Sequence, residues 1–317
     1  MQYRILGKTG LKVSAVGFGG IPIQRIDARG TRALMERLVE KGVNYIDTAR
    51  GYTVSESYLG EALSGGLREK FILATKSMSR GYADMARDIG ISLSNLRTDY
   101  IDLYQLHNIK SDADFELAFS AEGAVAAIQD AIRAGKVGHL GATAHSVDSF
   151  ERLLSYPEIE TIMFPYNIVE SQGEALMERA AAQNVGVIAM KPLAGGNITD
   201  GTLAMRYILQ NKTCTLAIPG MATLEEIEQN TAAAEQDGPA ALDLLDRLLH
   251  SLTVPWDLSA SPLYRHLATK EAAGEAQSVL LEPLLDQVEA DPDCAFLREM
   301  PEYGTMVEKY RRAADEA

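Results

Sequence analysis

Short apolar runs alternate along the chain with longer stretches in which apolar residues recur at helical spacing. This alternation predicts βα units built around a parallel sheet. Several runs, such as 187–190, contain no polar residue, so we expect the strands to be covered on both faces. The eight predicted strands are 14–18, 44–47, 71–75, 100–106, 137–142, 161–165, 186–190 and 215–218, and the eight predicted helices are 30–42, 56–64, 81–96, 121–134, 147–155, 173–184, 200–210 and 223–234.

Eight consecutive units favour one closed (β/α)8 TIM barrel of the α/β class over an open sheet. A doubly wound sheet would carry the pattern G-x-G-x-x-G between its first strand and its first helix. Gly17, Gly19 and Gly20 do not form that pattern. We therefore predict that residues 1–238 form a barrel domain.

Two segments lie outside the eight units. At the start, residues 3–6 and 11–13 flank a turn at 7–10 with a glycine at each end, which predicts a β-hairpin across the barrel floor. At the other end, residues 239–317 carry leucines at helical spacing, interrupted by prolines. This segment predicts a helical extension that caps the barrel mouth and shapes the substrate pocket.

Composition places the chain among ordinary globular proteins and narrows its partners. Of its 317 residues, 46% are hydrophobic and 23% are charged. The net charge of −14 repels nucleic-acid phosphates and anionic membranes, so neither partner is expected. Cys214 and Cys294 lie far apart and match no metal or haem spacing. No apolar stretch suits a membrane span or a signal core, and a cytoplasmic location is expected.

The active site of such a barrel forms at the carboxyl ends of its strands. Asp47, Lys76 and His107 close the second, third and fourth runs, and Tyr52 lies in the loop after the second. Taken alone, each has an ordinary explanation: a helix cap for Asp47, a solvated side chain for Lys76, a structural role for His107. Because four ionisable groups converge on one mouth, we interpret them as one catalytic site.

Together these side chains suit proton transfer to a carbonyl oxygen. The Tyr52 phenol can act as a general acid at neutral pH, and a nearby Lys76 ammonium would stabilise its phenolate. Asp47 would hold the lysine, and His107 would donate a hydrogen bond that orients the substrate oxygen. No side chain supplies a hydride, so a carrier such as a nicotinamide is required.

The ordered motifs resemble those of the aldo-keto reductases over roughly residues 1–235. They are Tyr3-Arg4-Ile5-Leu6-Gly7-Lys8-Thr9-Gly10-Leu11-Lys12-Val13-Ser14, Asp47-Thr48-Ala49-x-x-Tyr52, Thr75-Lys76, Leu106-His107, and Ile218-Pro219-Gly220 with Glu225 and Asn230. The resemblance implies a (β/α)8 barrel with the catalytic tetrad Asp47, Tyr52, Lys76 and His107. It also implies hydride transfer between nicotinamide C4 and an aldehyde, ketone or sugar carbonyl, or the corresponding alcohol, with Tyr52 as general acid and base.

The resemblance further implies an extended site for NADPH or NADH. The residues expected to contact this cofactor are Gly20, Ile21, Asp47, Thr143, Asn167, Met190, Lys191, Pro192, Leu193, Gly195, Pro219, Gly220, Met221, Gln229 and Asn230. The loop containing Gly195 is expected to cross the pyrophosphate, and Gln229 and Asn230 resemble adenine-side contacts. Residues 220–223 lead into a helix whose N-terminus suits a phosphate.

The chain departs from the family pattern around the nicotinamide carboxamide. Members commonly place a Ser-Asn pair after the fifth strand and a Gln in the sixth. Here these positions read Thr143-Ala144 and Met163. The polar groups that could replace them are Thr143, His145 and Asn167, although His145 is equally well explained as a surface residue.

A second departure concerns the choice of nicotinamide. Members that prefer NADPH often place a lysine or arginine after the eighth strand to bind the 2′-phosphate. This stretch instead carries Glu225 and Glu226. Because like charges repel, we expect weak discrimination or a preference for NADH, unless Lys191 or a distant arginine compensates.

Two other functions stay open at this point. A metal-dependent barrel hydrolase needs clustered ligands, and the five histidines, at 107, 139, 145, 250 and 266, are scattered. A cofactor-binding regulatory protein on the same fold would keep these residues and show little turnover. The motifs resemble a branch that often carries an iron-sulfur tail, but Cys294 is the one cysteine of this tail, so no cluster or other metal is expected. The sequence leaves the substrate and the oligomeric state open.

Overall fold

The computed structural model describes residues 1–235, which form a ring of parallel strands surrounded by helices. The strands are β1 (Tyr3–Ile5), β2 (Lys12–Ser14), β3 (Phe18–Gly19), β4 (Tyr45–Asp47), β5 (Ile72–Ser77), β6 (Ile101–Leu106), β7 (Val137–Thr143), β8 (Thr161–Pro165), β9 (Gly186–Met190) and β10 (Leu216–Ala217). The α-helices are α1 (Ala28–Glu40), α2 (Ser55–Ala62), α3 (Tyr82–Asn95), α4 (Asp112–Ala118), α5 (Ala124–Arg133), α6 (Val147–Leu153), α7 (Glu174–Ala182), α8 (Gly201–Gln210) and α9 (Leu224–Ala232). The predicted extension, 239–317, and Cys294 lie outside the described residues.

Strands β3 to β10 pair in chain order, each parallel to the next. The ring closes where Val16 bridges Ala217 and Gly19 bridges Gly220. At this seam the Gly17 amide donates to the Ala217 carbonyl at 2.8 Å. The predicted (β/α)8 barrel is confirmed. In residues 1–235, no helix is both long enough and apolar enough to cross a bilayer.

The strands are buried on both faces because they separate two apolar clusters. The cluster inside the barrel consists of Leu6, Val13, Tyr45, Ala74, Leu103, Met163, Ile188, Leu216 and Ile218. The larger cluster lies between the strands and the helices, and α1 supplies Leu34, Met35 and Leu38 to it from one face. Burial on both faces explains why these strands show no polar alternation.

The hairpin of β1 and β2 closes the barrel floor, as the sequence predicts. Leu6 is fully buried among the residues of the barrel interior. The Lys8 amide donates to the Asn184 carbonyl, just before β9, at 2.7 Å. Gly7 and Gly10 adopt φ values of 53° and 70°, which glycine reaches without strain.

Two elements differ from the predictions. The first barrel strand is Phe18–Gly19 rather than 14–18, because Ser14 pairs within the hairpin instead. Helix α4 was not among the predicted helices and lies between the predicted strand 100–106 and the predicted helix 121–134. Its sequence signal is a capping box, in which the Ser111 side chain accepts from the Asp114 amide and the Asp114 carboxylate accepts in return.

Candidate active site

Asp47 and Lys76 meet inside the barrel at the ends of β4 and β5. Lys76 Nζ donates to Asp47 Oδ2 and, at 2.9 Å, to the Thr48 carbonyl. Neither of the paired side chains is more than 3% exposed. Asp47 Oδ1 also accepts from Gln105 Nε2 at 3.0 Å. Gln105 was not among the predicted site residues. It lies two positions after Leu103 on β6, and because side chains alternate along a strand, it shares the inward face with Leu103.

The ion pair fixes both the position and the charge of the lysine. Burial acts to lower the pKa of Lys76, but the charge of Asp47 and the interactions with Asp47 and Tyr52 outweigh burial, so the pKa is raised. Burial raises the pKa of Asp47, and the ammonium opposes that shift. Lys76 therefore carries its charge at neutral pH.

Tyr52 lies against this lysine, with its ring centroid 4.8 Å from Lys76 Nζ. The turn after β4 holds it, because its amide donates to the Ala49 carbonyl at 3.0 Å and its carbonyl accepts from the Ser55 amide at 2.8 Å. Burial raises the pKa of Tyr52, and the charge of Lys76 offsets this only in part. The phenol is therefore protonated at neutral pH. Lys76 lowers the pKa of Tyr52, as expected, but burial raises this pKa by more.

His107 completes the group from the end of β6. Its ring meets that of Tyr52 edge to face, with centroids 5.9 Å apart. Burial, followed by the charge of Lys76, lowers the pKa of His107 to about 3, so the imidazole is neutral at physiological pH. Its Nδ1 atom is buried and finds no hydrogen-bond partner within residues 1–235. The structure thus brings all four predicted catalytic residues together.

The predicted cofactor residues nearest this group line the seam of the barrel. The Gly20 amide donates to the Asp47 carbonyl at 2.8 Å, and the Pro219 carbonyl accepts from the Gly19 amide at 2.8 Å. A Cβ on Gly220 would lie 2.7 Å from the Pro22 ring. Ile21 and Met221, which adjoin these glycines in sequence, are exposed and fully buried respectively. The seam therefore brings together, beside Asp47, the backbone that follows the first barrel strand and the backbone that follows the last one.

Asn167 uses its side chain within the protein. Its Oδ1 accepts from the amides of Val169 and Glu170, and its Nδ2 donates to Glu170 Oε2 at 2.7 Å and to the Lys191 carbonyl at 2.9 Å. These four bonds use both donors and both acceptor positions of the amide. Thr143 Oγ1 accepts from an amide of the turn after β6 and keeps its own proton to donate. Thr143 is therefore the better placed of the two as a carboxamide partner.

The loop after β9 turns sharply through residues with positive φ. Lys191, Ala194, Gly195 and Gly196 have φ values of 55°, 48°, 71° and 101°. Residues in this conformation turn successive amides toward one side, an arrangement that suits an anion. Met190 is half-buried, and Pro192, within the loop, is buried. His145 is exposed after β7.

At the far end of the predicted cofactor site, Asn230 is 3% exposed and its Oδ1 has no hydrogen-bond partner within the described chain. A Cβ on Gly201 would lie 2.9 Å from this atom and 3.6 Å from Leu193 Cδ2. Asn230 and Leu193 therefore both lie beside Gly201. Gln229, which is exposed, donates to Glu225 at 3.4 Å.

Glu226 caps the helix that was expected to receive a phosphate. Its Oε2 accepts from the amides of Ala222 at 2.6 Å and Thr223 at 3.1 Å. The Thr223 side chain accepts from the Glu226 amide in return, which completes a capping box. A carboxylate of the protein itself thus accepts from the two amides that directly precede α9.

Residues 1–235 contain no cluster of three or more side chains suited to a metal ion. Cys214 lies buried within this part of the chain, and burial raises the pKa of its thiol to about 12. A surface cavity of about 630 Å³ lies at the ends of α2 and α3, on the face opposite the tetrad, and includes none of the predicted site residues.

A barrel with an Asp, Tyr, Lys and His group at its carboxyl face defines a class of oxidoreductase. Residues 15–202 match the family model described as the Aldo/keto reductase family. That match covers more than half of the 317 residues. The chain therefore belongs to the aldo/keto reductase family.

Individual relatives agree with this assignment. The chain is 28% identical to L-galactose dehydrogenase of Arabidopsis thaliana over 289 residues, which covers 74% of the chain and 89% of that protein. It is 28% identical to methylglyoxal reductase YeaE of Escherichia coli, covering 66% and 81% respectively. The structure of PA4992 from Pseudomonas aeruginosa, which is assigned to the aldo-keto reductases, superimposes with a TM-score of 0.66 at 29% identity, covering 74% of this chain and 95% of that one. The holo form of AKR11C1 from Bacillus halodurans, at 24% identity and a TM-score of 0.70, shares the fold and covers 82% of this chain and 99% of that one.

Proposed function

We propose that this protein is a nicotinamide-dependent reductase that interconverts an aldehyde, ketone or sugar carbonyl and its alcohol. The observation that carries the proposal is the charged Lys76 held between Asp47 and Tyr52. A protonated phenol beside a fixed ammonium is a proton donor whose product anion is already stabilised.

The residues present fit a nicotinamide dinucleotide. Asn230 offers a buried, unpartnered oxygen where an amino group of an adenine could donate. The close approach of Gly19, Gly20 and Gly220 leaves backbone rather than side chains beside the tetrad. Thr143, Lys191 and Gly195 would complete the site along the ends of the strands. When bound, the nicotinamide supplies the hydride that the side chains lack.

Each member of the tetrad then has one task. Tyr52 gives its proton to the carbonyl oxygen during reduction and takes it back during oxidation. Lys76 stabilises the phenolate that remains, and Asp47 keeps the lysine in place. The neutral His107 donates a hydrogen bond to the substrate oxygen and so orients the carbonyl group.

We further propose that residues 239–317 cap the barrel mouth. In the described chain, large apolar side chains lie exposed on that face: Ile21 is 50% exposed, Val54 37% and Met78 58%. Apolar groups grouped around a site are typical of a surface that is covered by substrate or by another segment. A chain ending at residue 238 should show a larger change in substrate KM than in cofactor affinity. Unchanged KM values for every substrate would exclude the cap.

The test of the main proposal combines binding and turnover. Fluorescence titration with NADH and NADPH measures cofactor affinity, and loss of reduced-nicotinamide absorbance measures reduction. The names of the relatives suggest methylglyoxal for reduction and L-galactose for oxidation as the first compounds of a wider carbonyl and sugar panel. Tight cofactor binding with no turnover of the panel would favour a cofactor-dependent regulatory protein instead.

A further inference from the structure

Arg80, in the loop after β5, contacts the main chain that carries His107. Its Nη2 donates to the His107 carbonyl at 2.8 Å and to the Asn108 carbonyl at 3.0 Å. Its Nη1 donates to the Met78 carbonyl at 3.0 Å. The Arg80 side chain is 10% exposed, so it forms part of the packed structure of the mouth.

The turn after β6 explains why two successive carbonyls reach one guanidinium. Asn108 has a φ of 52°, which swings its carbonyl to the same side as that of His107. The amide of Asn108 donates to Thr143 Oγ1 at 2.7 Å, and the amide of His107 donates to the Ser77 carbonyl at 2.9 Å. The amides and the carbonyls of His107 and Asn108 are therefore all held by hydrogen bonds.

Arg80 also ties this turn to the next helix. Its Nε lies 3.4 Å from Asp114 Oδ1, and Asp114 belongs to the capping box of α4. One planar guanidinium thus joins the loop after β5, the turn after β6 and the start of α4. A lysine offers a single charged point and cannot span these groups in the same way.

We propose that Arg80 is a positioning residue, which fixes the turn at His107 and Asn108 and so aims the His107 imidazole at the substrate oxygen. The inference rests on the proposed role of His107. Arg80 does not touch the reacting atoms and acts through the backbone of the histidine.

The charges that face His107 come from several elements. Lys76 lies on β5, Arg80 in the following loop and His145 in the loop after β7, and all three oppose a positive charge on the imidazole. Tyr52 contacts the ring from the loop after β4. Arg80 makes the smallest contribution of the three charges, so we expect its replacement to act on the orientation of the ring more than on its protonation.

The test uses the full chain and three variants. Arg80→Met removes the guanidinium group with its hydrogen bonds, and Arg80→Lys keeps the positive charge. Arg87→Met removes an exposed charge on α3 and serves as the control. For Arg80→Met we expect kcat to fall about 10- to 100-fold, because a displacement of about 1 Å costs up to about 100-fold in rate. Cofactor affinity and substrate KM should change little. Arg80→Lys should recover part of kcat, and Arg87→Met should behave as wild type.

A spectroscopic readout separates this inference from the proposed function. In histidine-labelled protein, the His107 ring signals should shift in Arg80→Met while those of His139, paired with Glu160 at the opposite end of the barrel, stay in place. This holds even if the wild-type protein turns over no substrate, an outcome that would count against the proposed function alone. Unshifted His107 signals, wild-type kcat in Arg80→Met, or equal losses in Arg80→Met and Arg87→Met would overturn the role of Arg80.

Discussion

Lys76 donates a hydrogen bond to Asp47 inside the barrel, where both side chains are at most 3% exposed. A buried pair of this kind resists the loss of one member, since the other charge is left without a partner. We predict that Lys76→Met lowers the free energy of unfolding by about 3–5 kcal/mol. Urea unfolding of the variant and the wild type measures the difference.

The control for this prediction is the double variant Asp47→Asn with Lys76→Met. Because the double variant removes both charges, it should be more stable than Lys76→Met alone. Together with the single variants Asp47→Asn and Lys76→Met, it completes a double-mutant cycle that gives the coupling energy of the pair. Both variants should lack activity. A double variant less stable than either single one would show that the pair is not the source of the effect.

Tyr52→Phe tests the proton donor directly. The variant keeps the ring that packs against Lys76 and loses the hydroxyl, so turnover should fall by about 10² to 10⁴ while cofactor affinity is retained. Steady-state kinetics and fluorescence titration check the two parts. Tyr82→Phe, which removes an exposed hydroxyl bonded to Asp130, is the matched control and should keep full activity. More than half of wild-type turnover in Tyr52→Phe would exclude the assignment.

The pH dependence follows from the two shifted groups. The pKa of His107 is lowered to about 3 and that of Tyr52 is raised, so neither changes protonation near neutrality. Reductive kcat should therefore be flat from about pH 5 to about pH 9, across the ordinary pKa of a histidine. A fall in kcat with a midpoint near 6.5 would show that His107 is more readily protonated than its burial indicates.

The same shift has a consequence for stability. Below about pH 6.5, the ordinary pKa of histidine, His107 is protonated in the unfolded chain but stays neutral in the folded protein. Its contribution to stability is therefore complete above about pH 6.5 and decreases progressively as the pH falls. His107→Gln should lose part of the pH dependence of unfolding in that acidic range. Urea unfolding at several pH values measures it, and an unchanged slope would contradict the shift.

The tetrad could be predicted from the sequence because strand ends are fixed by the hydrophobic pattern. Asp47, Lys76 and His107 each close an apolar run, and in a barrel these ends share one face. Helix α4 also has a signal in the sequence, because Ser111 and Asp114 stand at the spacing of a capping box. The cytoplasmic location and the individual cofactor contacts stay predictions.

Other features depend on the direction in which backbone carbonyls and amides point, and the pattern of residue types does not predict that direction. Arg80 is an ordinary loop arginine in the sequence, and its role arises because Asn108 turns a second carbonyl toward it. Asn167 has the right chemistry for a carboxamide partner, yet three of its hydrogen bonds go to the turn that follows and the fourth goes to the Lys191 carbonyl. The roles of Arg80 and Asn167 therefore follow from the folded structure and not from the sequence alone.

The barrel floor offers a matched pair of glycines. Gly7 and Gly10 both have positive φ, so alanine at either position costs about 1–2 kcal/mol in backbone strain. A Cβ on Gly7 would also lie 2.2 Å from the Gly186 amide nitrogen, whereas no described atom lies within 4 Å of a Cβ on Gly10. Gly7→Ala should therefore destabilise the protein clearly more than Gly10→Ala. Equal losses in urea unfolding would show that the hairpin does not press against β9.

The preference between nicotinamides should depend on Glu226. Its carboxylate accepts from the amides of Ala222 and Thr223, which directly precede α9, so these two donors are not free to bind a 2′-phosphate at this helix start. A 2′-phosphate would lose these donors and face a like charge, a repulsion of about 1 kcal/mol or more at partly screened distances. We therefore predict that NADH binds as well as NADPH or better.

Glu226→Gln separates charge from capping, because the amide oxygen can still accept in the capping box while the negative charge is gone. NADPH affinity should rise by up to about tenfold, the equivalent of about 1.4 kcal/mol, with NADH affinity and the unfolding midpoint nearly unchanged. Glu225→Gln, at an exposed neighbouring position, should have a smaller effect. Titration of each variant with both reduced cofactors decides the matter. If the wild-type protein bound NADPH a hundredfold more tightly than NADH, a cation from elsewhere in the chain would have to outweigh Glu226, and Lys191 would be the first side chain to replace.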